Sequence, residues 1–382
     1  MRSVAILGCT GSIGSSAVSV VHANNNLKIT GLSVNRSYRE LFKLVREFKV
    51  KCVHIASPNA YTQAKQHKPP GVKIYRGEEE LSEFIAKTRA EVVLSGISGA
   101  AGLSATIATL EAKKTLALAN KESLVMAGDL VMKLAAKSKV KIIPVDSEHM
   151  AIFRLLREAD TQGIKNIVLT ASGGRFLNKS LTALKKVTPA EAIKHPNWQM
   201  GKKITVDSST MFNKALEVIE AHHLFSLPAE QIEVLIHPES IAHGLVEFAD
   251  GSFTADLSAP DMRVPIEYAL EFPEYPTKNY RQLSLAEVGV LHFHDVEPKR
   301  FPALNLGYEV IKKKNGTGAV INAADEEAVK LFLAGKISYL EIIDIVRRVL
   351  DNSPIFSENS IADIMAADQW ARRQVREIKD IT

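Results

Sequence analysis

The amino-acid sequence predicts an α/β fold in three parts: a parallel-sheet domain, an α+β domain with a second sheet, and a helical C-terminal domain. Three observations predict it. Short apolar runs alternate with amphipathic stretches through the first 145 residues, as parallel βαβ units require. Closely spaced strand-like runs follow. From Pro302 onward the apolar spacing is helical throughout.

In chain order, SVAILG, LKITGLSV, KCVHIAS, VKIYRG, EVVLSGI, TLALAN and VKIIPVDS read as strands. The stretches SAVSVVHA, YRELFKLVREF, EELSEFIAKT, GLSATIATLEA and DLVMKLAAKS read as helices between them. NIVLTAS, IEVLIHP, HGLVEFAD and GSFTADLS then form a second, mainly antiparallel sheet. The proline-rich EFPEYPTKNY reads as a linker. LNLGYEVIKKK, ADEEAVKLFLAG, YLEIIDIVRRVL and ENSIADIMAADQWARRQVREIK are helices of a small bundle. The expected domains are residues 1–145, 146–272 and 301–382, with a linker over 273–300.

A chain of 382 residues exceeds one ordinary core. Its 46% apolar and 24% charged content is that of globular domains, and no apolar run is long enough to span a bilayer. The formal charge of +5 is mild and the basic residues do not cluster, which argues against a nucleic-acid partner. Cys9 and Cys52 have no metal-type spacing and fit a reduced compartment. The chain enters a strand at once with MRSVAILG, so a cytoplasmic location is expected.

SVAILG runs directly into GCTGSIGSSAVSVV. Gly8, Gly11 and Gly14 sit at a strand-to-helix turn, where small residues let backbone approach a pyrophosphate at a helix N-terminus. This makes the first domain Rossmann-like and dinucleotide-binding. After the second strand, where an NAD site carries an acidic residue, stand Asn35, Arg36 and Ser37. A guanidinium and a hydroxyl suit a 2′-phosphate, so NADPH is favoured over NADH.

Asp146 and Glu148 stand two apart after an apolar strand, and in extended chain both side chains point the same way. Paired carboxylates repel unless a cation lies between them. Glu217 is a possible third ligand, and three carboxylates suit Mg²⁺ or Mn²⁺ rather than zinc. KITVDSSTMFNKALEVIE reads as one helix, with Val206–Ser209 as its cap and Thr210, Asn213, Lys214 and Glu217 on one polar face. Ser208, Asn213 and Lys214 suit a phosphate there, and Glu217 one turn on suits a metal. His222, His223, His237, His243, His292 and His294 lack convincing ligand partners and read as structural.

GCTGSIG, ANKESLVMAG, PVDSEH, ASGGRF, HPNWQMGKKITVDSSTMFNKALEVIEA and HPESIAHG occur in this order. On these motifs the chain resembles the 1-deoxy-D-xylulose 5-phosphate reductoisomerases over essentially its full length. The resemblance implies an NADPH- and divalent-metal-dependent enzyme that converts 1-deoxy-D-xylulose 5-phosphate to 2-C-methyl-D-erythritol 4-phosphate in the non-mevalonate isoprenoid pathway. It implies metal ligation by Asp146, Glu148 and Glu217. Substrate contacts are implied for Lys121, Ser147, Ser172, His195, Ser208, Asn213 and Lys214. Cofactor contacts are implied for Thr10, Gly11, Ser12, Ile13, Asn120, Glu122 and Gly201. A homodimer and a mobile loop, KHPNWQMGK, are implied as well. Two departures from the family pattern are the NRS loop, which lacks the glycine and lysine common before its asparagine, and Arg175 in place of a proline.

For such a rearrangement and reduction, Lys121 would stabilise or relay protons at the substrate oxygens, and Glu148 would position a hydroxyl. Trp198, in the loop with His195 and with Gly201 as hinge, would exclude water. Two competing readings are another metal-assisted NADP-dependent dehydrogenase of a phosphorylated substrate and a non-catalytic NADP sensor.

Overall fold

The computed structural model describes residues 1–158, 163–194, 201–276, 278 and 280–381. The chain divides into two compact units, residues 1–120, 131–150 and 261–282 in the first, and 121–130, 151–260 and 283–382 in the second.

The first unit is built on a seven-stranded sheet. Its strands are β1 (Arg2–Leu7), β2 (Leu27–Val34), β3 (Cys52–Ile55), β4 (Lys73–Arg76), β5 (Val92–Ser95), β6 (Thr115–Leu118) and β7 (Ile142–Pro144). All pair in parallel in the order β4-β3-β2-β1-β5-β6-β7. Helices cover both faces, so the strands are apolar runs without alternation: Val4, Ala5, Ile6 and Leu7 have no exposed surface. The helix Tyr38–Phe48 buries Tyr38, Leu41, Phe42 and Val45, a single stripe at three- and four-residue spacing.

All seven expected strands form. Among the helices between these strands one was not legible: Pro58–Gln66 buries only Ala60 and Ala64, too little for an apolar period. Its signal was the cap, with Ser57 accepting from the Ala60 N–H and proline at the first turn. Phe272, at the start of the proline-rich stretch, is held to this unit. The Arg2 guanidinium donates to the Phe272 carbonyl, and Lys141 Nζ lies 5.0 Å from the Phe272 ring centroid. Beside it the helix Arg263–Glu271 carries Glu267, whose Oε1 accepts from Asn24 Nδ2 at 2.8 Å.

The second unit holds a five-stranded sheet of β8 (Ile164–Ala171), β9 (Ile232–Ile236), β10 (Ala242–Phe248), β11 (Phe253–Leu257) and β12 (His294–Asp295), in the order β11-β10-β8-β9-β12. The sheet is mainly antiparallel, as expected, with the single exception that β8 and β9 pair in parallel. A parallel pair needs a long crossover. Here the crossover contains the helices Lys202–Thr210 and Phe212–Phe225. Ile167, Leu169, Val234 and Val246 of the sheet pack with Met211 and Val218 of the crossover and with Phe301 and Leu304. The helices Pro302–Lys313, Thr317–Leu333, Glu341–Asp351 and Ile361–Ile381 follow, as the C-terminal spacing predicts. Among the described residues no helix is long and apolar enough to cross a membrane.

Candidate active site

In the first unit the strand order reverses between β1 and β5, and open α/β sheets bind ligands outside the carboxyl ends of strands at such a switch point. The glycine turn lies there. Gly8 has φ +73°, and a Cβ on it would stand 2.7 Å from the Gly96 carbonyl oxygen just past β5. A Cβ on Gly14 would stand 2.2 Å from the Gly8 oxygen, so this glycine lets the Ser12–Ala23 helix seat on the turn. Thr10, Gly11 and Ser12 are exposed and Ile13 is half-buried. Asn35, Arg36 and Ser37 are exposed at the carboxyl end of β2. Asn120, just past β6, is buried, and its Nδ2 donates to the Gly99 carbonyl at 3.0 Å.

Asp146 and Glu148 do not lie on extended chain as expected. Pro144 ends β7, and the helix Ser147–Glu158 begins two residues before His149. Asp146 therefore acts as its cap: Oδ1 accepts from the Glu148 N–H at 3.3 Å and lies 3.5 Å from Nδ1 of the fully buried His149. The Ser147 hydroxyl donates to Glu148 Oε2. Both carboxylates thus sit at a helix N-terminus.

In the second unit the segment read as one helix is two. Met211 adopts φ +64°, ends Lys202–Thr210 and starts Phe212–Phe225. Asp207, Ser208 and Ser209, expected as caps, are helical, and the new N-terminus falls at Phe212–Lys214. The break gives Asn213 and Lys214 the first turn of a helix, with its outward N–H groups. One turn on, Glu217 is 1% exposed. Its Oε1 accepts from Lys121 Nζ at 2.9 Å and from Asn213 Nδ2, and its Oε2 accepts from Lys214 Nζ. Lys121 Nζ also donates to Asn213 Oδ1 at 2.9 Å. Both lysines are buried. Two ammonium groups thus meet on one carboxylate.

The Ser172–Gly174 turn follows β8. Ser172 Oγ accepts from the Gly174 N–H at 3.2 Å. Gly174 has φ +68°, and a Cβ there would stand 2.7 Å from the Ser208 oxygen and the Ser209 Cα. Glycine therefore lets the turn lie directly on the helix that carries Ser208. Ser208 is half-buried while its neighbours from Thr205 to Thr210 are buried. Glu122 opens the helix Glu122–Ser138, and Gly201 precedes Lys202–Thr210. His195 and Trp198 lie outside the described residues.

The sequence reading missed a charge cluster on the helix that carries Ser208, in which Asp207 and Asp325 are buried and Lys203 is half-buried. Lys203 Nζ lies 2.6 Å from Asp207 Oδ2 and 2.5 Å from Asp325 Oδ2. Burial by itself would lower the Lys203 ammonium, but Asp207 and Asp325 outweigh it and raise its pKa. Burial raises both carboxyls, Asp325 further because Asp207 adds repulsion. The i, i+4 spacing of Lys203 and Asp207 was the only available signal, since Asp325 is far along the chain. The histidines have structural partners. His237 Nδ1 pairs with the His292 carbonyl at 2.8 Å, and its Nε2 accepts from the N–H groups of Ile241 and Ala242.

Models of the 1-deoxy-D-xylulose 5-phosphate reductoisomerase and its C-terminal domain match residues 4–128 and 142–225, and a model of the DXP reductoisomerase C-terminal domain matches 257–374. The chain is 44% identical over 380 residues to the 1-deoxy-D-xylulose 5-phosphate reductoisomerase of Geobacillus sp. (strain WCH70), covering 99% of this chain and 100% of that one. It is 43% identical to that of Thermodesulfovibrio yellowstonii (strain ATCC 51303 / DSM 11347 / YP87), over 98% of this chain and 99% of the relative. A crystal structure of DOX-P reductoisomerase in complex with NADPH, fosmidomycin and magnesium superposes with a TM-score of 0.94 at 40% identity, covering 100% of this chain and 99% of that one. The enzyme from Zymomonas mobilis in complex with NADPH gives 0.92 at 38% identity, covering 99% of each. With similarity of this degree over both units, the chain belongs to the 1-deoxy-D-xylulose 5-phosphate reductoisomerase family.

Proposed function

We infer that the protein converts 1-deoxy-D-xylulose 5-phosphate to 2-C-methyl-D-erythritol 4-phosphate with NADPH and a divalent cation, in the non-mevalonate synthesis of isoprenoid precursors. The observation that carries this is full-length identity above 40% to enzymes of that activity.

When bound, NADPH supplies the hydride and the cation supplies Lewis acidity toward neighbouring oxygens. Thr10, Gly11, Ser12, Ile13, Asn120, Glu122 and Gly201 are the proposed cofactor contacts, with Asn35, Arg36 and Ser37 at the 2′-phosphate. Asp146, Glu148 and Glu217 are the proposed metal ligands. Their chemistry fits Mg²⁺ or Mn²⁺, since all three offer hard oxygen donors. Glu217 would hold the ion with the Lys121 and Lys214 ammonium groups beside it. Lys214, Asn213, Ser172 and Ser208 hold the phosphate, and Lys121 holds a proton at Nζ for the substrate oxygens. Ser147, Glu148 and His195 contact the sugar hydroxyls, and Trp198 shields them from water. The phosphate does not react, but its binding energy orients the carbon chain toward the nicotinamide.

On this reading the functional division is 1–145 for NADPH, 146–272 for metal and substrate, 273–300 as connection and 301–382 as the helical domain. The protein is a cytoplasmic homodimer. Strand β11 supports a dimer: it is a sheet edge, with Phe253 53% and Leu257 37% exposed.

The test is NADPH oxidation with the xylulose phosphate, with and without Mg²⁺, and identification of the product. A branched product formed only with the cation is expected. An unbranched alcohol would mean a simple dehydrogenase, and NADPH binding without turnover would mean a sensor.

A further inference from the structure

We propose that Tyr339 is a positioning residue for the substrate's phosphate, fixing the distance between the Ser172–Gly174 turn and Ser208. This rests on the reading that Ser172 and Ser208 bind phosphate. Tyr339 belongs to the C-terminal helical region, lying between the helices Thr317–Leu333 and Glu341–Asp351. It is 3% exposed.

Its hydroxyl donates to Ser209 Oγ at 3.1 Å, and the Ser209 hydroxyl donates to the Val206 carbonyl at 2.7 Å. This chain of two hydrogen bonds fastens the last turn of the Lys202–Thr210 helix, where Ser208 is the half-buried member. The other side of the ring meets the turn after β8. Its centroid lies 5.3 Å from that of Phe176, edge to face at 88°. Phe176 is itself held through its carbonyl, which accepts from the Arg300 guanidinium. One side chain therefore touches the segment carrying Ser172 and the segment carrying Ser208. The bare contact of Gly174 with the Ser208–Ser209 backbone lies between those same two segments. A buried phenol needs a partner, and many would serve. Here the partner is the residue next to a proposed phosphate ligand. Side chains that hold a contacting group in place matter because small misplacements cost binding.

The experiment compares Tyr339→Phe, Ser209→Ala, the double variant and Ser208→Ala in the full-length protein with NADPH and Mg²⁺. Tyr339→Phe keeps the ring and loses only the hydroxyl. Its KM for the sugar phosphate is expected to rise roughly fivefold, the effect of about one net hydrogen bond. The kcat should stay within about twofold and the KM for NADPH should not move. Ser209→Ala should act alike, and the double variant should add little, because both remove one interaction. An unchanged KM in Tyr339→Phe with a raised KM in Ser208→Ala overturns the positioning role and leaves the phosphate reading intact. Unchanged KM in all variants overturns both. A shift of Tm, kcat and both KM values together, or full additivity, makes Tyr339 an ordinary core residue and overturns the proposal.

Discussion

Lys121 donates to Glu217 at 2.9 Å from a residue 96 positions away, and Lys214 takes the other oxygen of the same carboxylate. Three ionic groups are thereby buried together, and each depends on the others. Glu217→Gln should abolish metal-dependent turnover and leave NADPH affinity unchanged. It should also destabilise the fold by about 3–5 kcal/mol, because two buried ammoniums lose their counter-charge. Turnover against Mg²⁺ concentration, cofactor titration and urea unfolding check the three parts.

The two lysines should separate kinetically. Lys214→Ala should raise the KM for the sugar phosphate at least tenfold, roughly what one charge-assisted hydrogen bond contributes. Lys121→Met should instead lower kcat, because its ammonium is the proposed proton holder. Steady-state kinetics on both variants distinguish them, and identical profiles would refute separate roles.

His223 predicts an acid-sensitive fold. Its pKa is lowered to about 4, first by burial and then by His222, against Asp129 at 3.5 Å. Lys314 adds to the lowering. The ring packs where Gly128 leaves room, since a Cβ there would stand 2.1 Å from it. The native state thus binds the proton less readily than the unfolded chain, whose histidine titrates near 6.5. Stability from this group is complete above about pH 6.5 and is lost as pH falls toward 4, by up to about 3 kcal/mol. His223→Gln should flatten that limb in unfolding curves measured across this range.

Lys203→Met should destabilise more than Asp325→Asn. The first leaves Asp207 and Asp325 buried without their ammonium, at a cost of about 3–5 kcal/mol. The second leaves Lys203 paired with Asp207 and removes the carboxyl with the more strongly raised pKa. Denaturant midpoints give the order.

At the other end of the proposed site, Arg36→Ala should raise the KM for NADPH while leaving that for NADH nearly unchanged. A parallel rise in both would place Arg36 away from the 2′-phosphate.

The parallel sheet was legible because its strands are buried on both faces and read as uninterrupted apolar runs. Glycines 8 and 14 were legible because close backbone approach admits no other residue. The Pro58–Gln66 helix was not, since alanines alone carry its buried face. The Met211 break was hidden because nothing in a methionine announces a left-handed backbone, and the polar stripe on either side fits one continuous wheel. Asp325 and Tyr339 were hidden for a different reason: their partners at Lys203 and Ser209 are more than a hundred residues away, where no local period reaches.

The helix that begins beyond Met211 also acts as a ruler. Adding or deleting one residue between Lys214 and Glu217 would turn Glu217 by about 100° about the helix axis. Glu217 would swing away from both ammoniums even though every side chain was still present. Substitutions in this segment can be graded in their effect, whereas a change in its length disassembles the cluster at once.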